Sequence, residues 1–243
     1  MNPILENNKE NLKKEFKKFA KNGLFSLSKN KEIFNDKKIT KQIEKIIFQK
    51  KVKNILIYTP MDSEVNIFPL INTLRKARGI RIFSPFIIGE SFKIVPFRLP
   101  LRKNKYNIFE TKNSRFLNFN KIDLAVVPIL GVDVDFKRIG FGKGMYDRFY
   151  DTLKKKPYSI FVCRILNLAT LKIGDSYDIV GDTIISVGIR KGNYDFLGNN
   201  WCCCRWNFIR RICISDNKKS IYLKTAHSFK TSKDQSNCNR KRS

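Results

Sequence analysis

Along the first fifty residues the apolar positions recur at helical spacing. In KENLKKEFKKFA, residues 9 to 20, Leu12, Phe16 and Phe19 share one face while lysines line the other. Ile39, Ile43, Ile46 and Ile47 repeat in the same way and predict a second helix near residues 38 to 50. From residue 54 the rhythm changes. The runs NILIYTP (54 to 60), GIRIFSP (79 to 85), IDLAVVP (122 to 128), SIFVCRI (159 to 165) and DTIISVGI (182 to 189) are short and apolar, as buried strands are. EVNIFPLINTLRK (64 to 76) and MYDRFYDTL (145 to 153) read as helices between them. SFKIVPFRLPLRKNKYNIFE, residues 91 to 110, has two prolines and no clean period, which predicts an edge hairpin and a loop.

Strands alternating with helices predict an α/β fold: a three-layer, Rossmann-like, mostly parallel sheet with helices on both faces and ligands outside the carboxyl ends of its strands. The pattern stops near residue 197. We expect one domain over residues 1–197 and an irregular, disordered tail over 198–243, where no period is sustained and the chain ends in a polar, basic run. Adjacent Cys202, Cys203 and Cys204 lack the spacing of a zinc knuckle, and Cys163 within SIFVC reads as a small core residue, so neither a structural metal nor a disulfide is expected.

The formal net charge of +28 points toward anionic ligands. The tail holds eleven Lys or Arg against Asp216 and Asp234, which leaves +19 to the body. Compositional bias toward lysine, asparagine and isoleucine accounts for such a balance as well. With no RNA-binding or helix-turn-helix signature, a nucleic-acid partner is not expected. No apolar run reaches the roughly 18 residues of a membrane span, and the first residues lack the apolar centre of a secretory signal, so a cytoplasmic protein is expected.

The densest chemistry lies in RIGFGKGMYDRF, residues 138 to 149. Gly140, Gly142 and Gly144 clear side chains from alternate positions, so backbone N–H groups can approach an anion and positive φ carries no strain. Arg138, Lys143 and Arg148 surround them with positive charge. The spacing is neither that of a P-loop nor the dinucleotide fingerprint G-x-G-x-x-G opening a helix directly after a strand, so a phosphate site of another class is expected.

Here the residues resemble a known family. VPILGVDVDFKRIGFGKGMYDRF is similar to the signature of the 5-formyltetrahydrofolate cyclo-ligases, also called 5,10-methenyltetrahydrofolate synthetases. Pro128, Asp133, Arg138, Gly140, Gly142, Gly144, Tyr146, Asp147 and Arg148 fill the pattern at unbroken spacing, with Ile139 in place of leucine. Weaker matches follow in order: Lys9 and Leu12, with Lys13 where arginine is usual; YTPMDSEVNI, which sets Glu64 at a substrate glutamate; and YDIVGDTII, which sets Asp182 at a magnesium position. The resemblance covers roughly residues 9 to 190. The chain departs from the pattern at Phe141, where a basic residue is common, at Phe136 for glycine, at Thr111 for proline and at Phe92 for methionine.

The resemblance implies a ligase that closes a C–N bond: 5-formyltetrahydrofolate and ATP give 5,10-methenyltetrahydrofolate, ADP and phosphate. The formyl oxygen takes the γ-phosphoryl group, and N10 attacks the resulting imidate phosphate. Implied ATP contacts are Lys9, Lys13, Arg138, Ile139, Gly140, Phe141, Gly142, Lys143, Gly144, Met145, Tyr146 and Arg148. Implied folate contacts are Thr59, Glu64, Phe141, Gly142, Lys143, Gly144 and Met145. Arg138, Lys143 and Tyr146 carry the implied catalytic role, while Asp147, expected on an exposed loop, and Asp182 are the implied Mg²⁺ ligands. Two readings from other classes remain open: a basic RNA-associated protein without catalysis, and a different α/β phosphate-binding enzyme.

Overall fold

The computed structural model describes residues 3–25, 27–111, 121–191, 212–214 and 221–224. Helix α1 (Pro3–Phe25) and helix α2 (Lys29–Gln49) lead into β1 (Asn54–Ile57), α3 (Phe68–Lys76) and β2 (Arg81–Ile88). The isoleucine stripe of α2 is buried, and each such side chain contributes about 1.5–3 kcal/mol on leaving water. Helix α3 starts four residues later than its sequence pattern suggests, with a proline in its first turn, so Glu64 lies in the loop before it. The stretch from 91 forms β3 (Ser91–Pro96), which turns back antiparallel on β2, and then a separate ribbon of β4 (Leu101–Lys103) and β5 (Phe109–Thr111).

The remaining elements are β6 (Leu124–Pro128), β7 (Gly131–Val132), β8 (Arg138–Ile139), α4 (Met145–Asp151), β9 (Tyr158–Val162), β10 (Ile165–Leu168), β11 (Thr183–Ser186) and β12 (Gly188–Lys191). Two short strands from the tail, β13 (Ile212–Ile214) and β14 (Ile221–Lys224), join the antiparallel edge of β11. The rest of the tail lies outside the described residues, and so does most of the segment on which an irregular extension was expected.

The main sheet runs β13-β14-β11-β9-β6-β1-β2-β3, with β2, β1, β6, β9 and β11 mutually parallel. The chain moves from β1 outward to β2, then returns past β1 to β6 and continues the other way. Right-handed crossovers then put α3 and α4 on opposite faces, which gives the three layers. The expected α/β fold is the observed one.

SIFVCRI and DTIISVGI each read as one strand but serve two sheets. Strands β9 and β11 lie in the main sheet, whereas β10 and β12 continue into a second sheet of order β12-β10-β7-β8. Apolar residues resume just past each bend, at Ile165 and Leu166 and at Ile189, so neither run breaks in a way that marks the change of sheet. Ser186 Oγ donates to the Gly188 carbonyl at 2.8 Å and lies 3.3 Å from that of Arg164, which holds the corner. Helix α1 packs Phe16 and Ala20 against Leu130, Ile139 and Ala169 beside this second sheet.

Candidate active site

In an open parallel sheet the binding crevice opens where chain order reverses, here between the carboxyl ends of β1 and β6. Strand β1 delivers Tyr58 and Thr59 to that place, and β6 delivers Pro128 and Ile129. Thr59 is buried and its Oγ1 donates to the Phe109 carbonyl at 2.6 Å, which ties the β4–β5 ribbon to the end of β1. Glu64 follows in the same loop, 7% exposed, its Oε2 accepting from the Met61 N–H at 2.9 Å. It lines a narrow cleft with Leu24, Ile129, Phe141, Cys163 and Arg164.

Burial pushes the Glu64 carboxyl up from 4.5 to about 7, although the Met61 N–H and the charges of Arg138 and Arg164 pull the other way. The sign for stability follows from linkage. Between those two values the native chain binds more protons than the unfolded chain, so stability falls as pH rises from about 4.5 to about 7 and stays reduced above it. Glu64→Gln is therefore expected to flatten this part of the stability-against-pH curve and to match the parent only below about pH 4.5; denaturant melts across pH check it.

Arg138 joins β6 to α4. Its Nε and Nη2 donate to the Pro128 carbonyl at 3.3 and 3.1 Å, and its Nη1 pairs with Asp147 Oδ2 at 3.1 Å. The same guanidinium lies 5.1 Å from the centre of the Tyr146 ring. A Cβ at Gly140 would stand 2.4 Å from Arg138 Nη1, so this glycine lets the guanidinium reach both partners. Gly142 has φ of +134° with open space where a Cβ would be, and it and Lys143 are exposed at the tip of the loop. Gly144, left-handed at φ 59°, turns the chain into α4.

Tyr146 is buried with its ring edge against Phe92, centroids 5.0 Å apart, and its hydroxyl has no hydrogen-bond partner among the described residues. Burial, with the Glu64 charge added, raises its pKa well above the usual phenol value, so it remains a proton-bearing donor. Lys143 is exposed, and its ammonium sits 3.6 Å from the Tyr106 ring at the tip of the β4–β5 ribbon. Arg148 donates to the carbonyls of Glu90 and Lys143 and so fastens the glycine loop to the β2–β3 turn. Of the remaining loop residues, Ile139 is fully buried, and Phe141 and Met145 are half-buried.

Lys9 and Lys13, expected at the triphosphate, point from α1 toward two carboxylates. Lys9 Nζ contacts Asp175 Oδ1 at 2.9 Å, while Lys13 Nζ contacts both Asp175 Oδ2 and Asp178 Oδ2 at 2.6 Å. Asp147 is not an exposed loop carboxylate: it is 5% exposed in the first turn of α4 and paired with Arg138, and its Oδ1 accepts from the Ile179 N–H at 3.4 Å. Asp182 sits at the amino ends of β9 and β11, where its Oδ2 accepts from the Ser159 N–H at 2.7 Å, at the opposite end of the strands from the loop. The two carboxylates are thus engaged separately, and among the described residues no three His, Cys, Asp or Glu gather as a metal-ligand set. They do not fit a shared Mg²⁺ site.

Sequence reasoning missed a buried pair that positions the Glu64 loop. Arg164 Nε and Nη2 donate to Asp36 Oδ1 and Oδ2 at 2.8 and 2.9 Å, and Asp36 Oδ2 also accepts from the Asn66 N–H. The signal was present: Asp36 falls three residues before Ile39, on the apolar stripe of α2, where an acid needs a buried partner.

A glycine-rich loop and a buried carboxylate thus lie at the switch point of an open α/β sheet, where enzymes of this architecture bind their ligands. The chain belongs to the 5-formyltetrahydrofolate cyclo-ligase family, whose model matches residues 6–170. It is 26% identical over 152 residues to a 5-formyltetrahydrofolate cyclo-ligase of Mycoplasma pneumoniae, covering 62% of this chain and 84% of the relative. A protein of the same name from Mycoplasma genitalium is 28% identical over 155 residues, covering 63% of this chain and 84% of the relative. The fold is shared with the solved 5,10-methenyltetrahydrofolate synthetase of Aquifex aeolicus, at a TM-score of 0.61 and 24% identity over 72% of this chain and 89% of that one.

Proposed function

We propose that this chain converts 5-formyltetrahydrofolate and ATP to 5,10-methenyltetrahydrofolate, ADP and phosphate, and that residues 1–197 carry the activity. The observation that supports this most is the meeting of three features at the β1/β6 crevice: the Arg138-braced glycine loop, the buried Glu64 carboxylate and the unpartnered Tyr146 hydroxyl. Family membership supplies the reaction and the crevice supplies a place for it.

In this reading the open amides around Gly142, with Lys143, Lys9 and Lys13, neutralise the triphosphate. Thr59, Glu64, Phe141 and Met145 face the folate. The Tyr146 hydroxyl donates to the formyl oxygen and orients it toward the γ-phosphorus. The formyl oxygen displaces ADP to give an imidate phosphate; N10 attacks its carbon, loses its proton, and phosphate leaves with the C–O electrons. Arg138 acts through position, holding the loop against β6. Because Asp147 and Asp182 have other partners, no step is assigned to a Mg²⁺ ion held by the two. Cytoplasmic location accords with the family's substrate; no described helix is long and apolar enough to cross a membrane.

Glu64→Gln separates the two substrate subsites. The variant is expected to raise the Michaelis constant for 5-formyltetrahydrofolate by about tenfold, the scale of one lost charge-assisted hydrogen bond, with that for ATP nearly unchanged. Initial rates over a grid of both substrates check it; a larger change in the ATP constant would place Glu64 on the wrong side of the crevice.

A further inference from the structure

The two lysines assigned to the nucleotide are already neutralised. Lys9 and Lys13 meet Asp175 and Asp178 at 2.6 to 2.9 Å, so each ammonium group already faces a carboxylate that an incoming anion would have to approach. A phosphate oxygen at contact distance from these ammonium groups would also lie beside a carboxylate, a like-charge approach that costs several-fold in affinity even near water. One of the aspartates has to leave.

The surroundings decide which. The Asp178 side chain is 6% exposed, and besides Lys13 its Oδ2 takes the N–H of Asp175 at 2.8 Å. Without it, Lys13, itself 16% exposed, would be left with a weaker set of partners in a poorly hydrated place. The Asp175 side chain is 29% exposed and touches the exposed Tyr177 hydroxyl. Lys137 holds its main chain by donating to the Asp175 carbonyl at 2.7 Å, so the carboxylate can rotate into water while the backbone stays. Burial opposes its ionisation, but Lys13 and Lys9 outweigh that and hold it down at about 2, so it is fully charged wherever the enzyme works.

We propose that Asp175 competes with the nucleotide for Lys9 and Lys13: its carboxylate occupies both ammonium groups in the free chain and gives them up when the triphosphate binds, while Asp178 stays and keeps Lys13 in place. The inference rests on the assignment of these lysines to ATP. It gives Asp175 a role of the opposite sign to that of an ordinary site residue, because removing its charge improves binding.

Titrating MgATP into the full chain without folate, by calorimetry, reads this directly in three variants. Asp175→Asn keeps the shape and removes the charge, and it is expected to tighten nucleotide binding by about three- to tenfold, the scale of one unscreened contact charge near a protein surface. Lys9→Ala is expected to weaken binding by a similar factor, and Asp178→Asn to lower the melting temperature without tightening binding. If Lys9→Ala weakens binding while Asp175→Asn leaves it unchanged or weaker, the competition is refuted and the lysine assignment stands. If Lys9→Ala has no effect, the nucleotide does not use this pair, and the assignment and the competition fall together.

Discussion

A Gly142→Val chain is expected to lose ATP-dependent turnover by on the order of a hundredfold, the scale of removing an aligned backbone donor from a developing negative charge. The reason is local. At φ of +134° a β-branched residue is strained by about 1–3 kcal/mol, and with no atom within 4 Å the loop relieves that strain by moving. The amides then leave the positions that the proposed phosphate site needs. Because the loop is exposed there, the core keeps its packing and the circular-dichroism melt changes little. Parent-like turnover and ATP affinity in this variant would remove the loop from the phosphate site.

Asp147→Asn is expected to act on the fold before it acts on chemistry. The substitution leaves the Arg138 guanidinium, 6% exposed, without its counter-charge, and breaking one side of a buried pair costs about 3–5 kcal/mol. For a chain of this size that corresponds to a fall in melting temperature of roughly 10 °C. The Arg138 side chain also spans from Pro128 to the Tyr146 ring, so turnover drops along with stability. Thermal melts of parent and variant, with turnover measured well below both midpoints, separate the two losses. A variant that melts with the parent but needs more Mg²⁺ would return Asp147 to the role of metal ligand.

The contrast between these variants shows what a sequence discloses and what it withholds. The glycine alternation was legible because positive φ and close approach leave a residue-type signature, and Gly140, Gly142 and Gly144 are each used differently but all as glycines. The parallel sheet was legible because strands buried on both faces read as continuous apolar runs. The bends at Cys163–Arg164 and at Val187 were not legible, because apolar residues resume at Ile165 and Ile189 while the strands change sheets. The partner of a charge is a long-range fact. Lys13 and Asp178 are 165 residues apart and Arg164 and Asp36 are 128 apart, so the pattern shows that a lysine or aspartate is present and not what it touches. Asp147 reads as exposed in the sequence for that reason, since its helix is short and Arg138 lies nine residues away across the loop.

Phe136 shows the reverse case, a departure from family pattern whose physical sense only coordinates reveal. It holds φ of 58°, the left-handed region in which glycine is usual. Its neighbours brace the turn: Asp133 Oδ1 accepts from the N–H groups of Asp135 and Lys137, and Asp133 Oδ2 from that of Gly174. The turn that aims Arg138 is therefore built by an aspartate and does not depend on glycine.

The central claim is tested most directly by mixing the purified chain with 5-formyltetrahydrofolate and MgATP and following the absorbance of the methenyl product. The account predicts a signal that requires all three components, rises with one ADP released per methenyl group formed, and is lost in Gly142→Val. ADP release without methenyl formation, or no signal from a chain that binds both substrates, would contradict it.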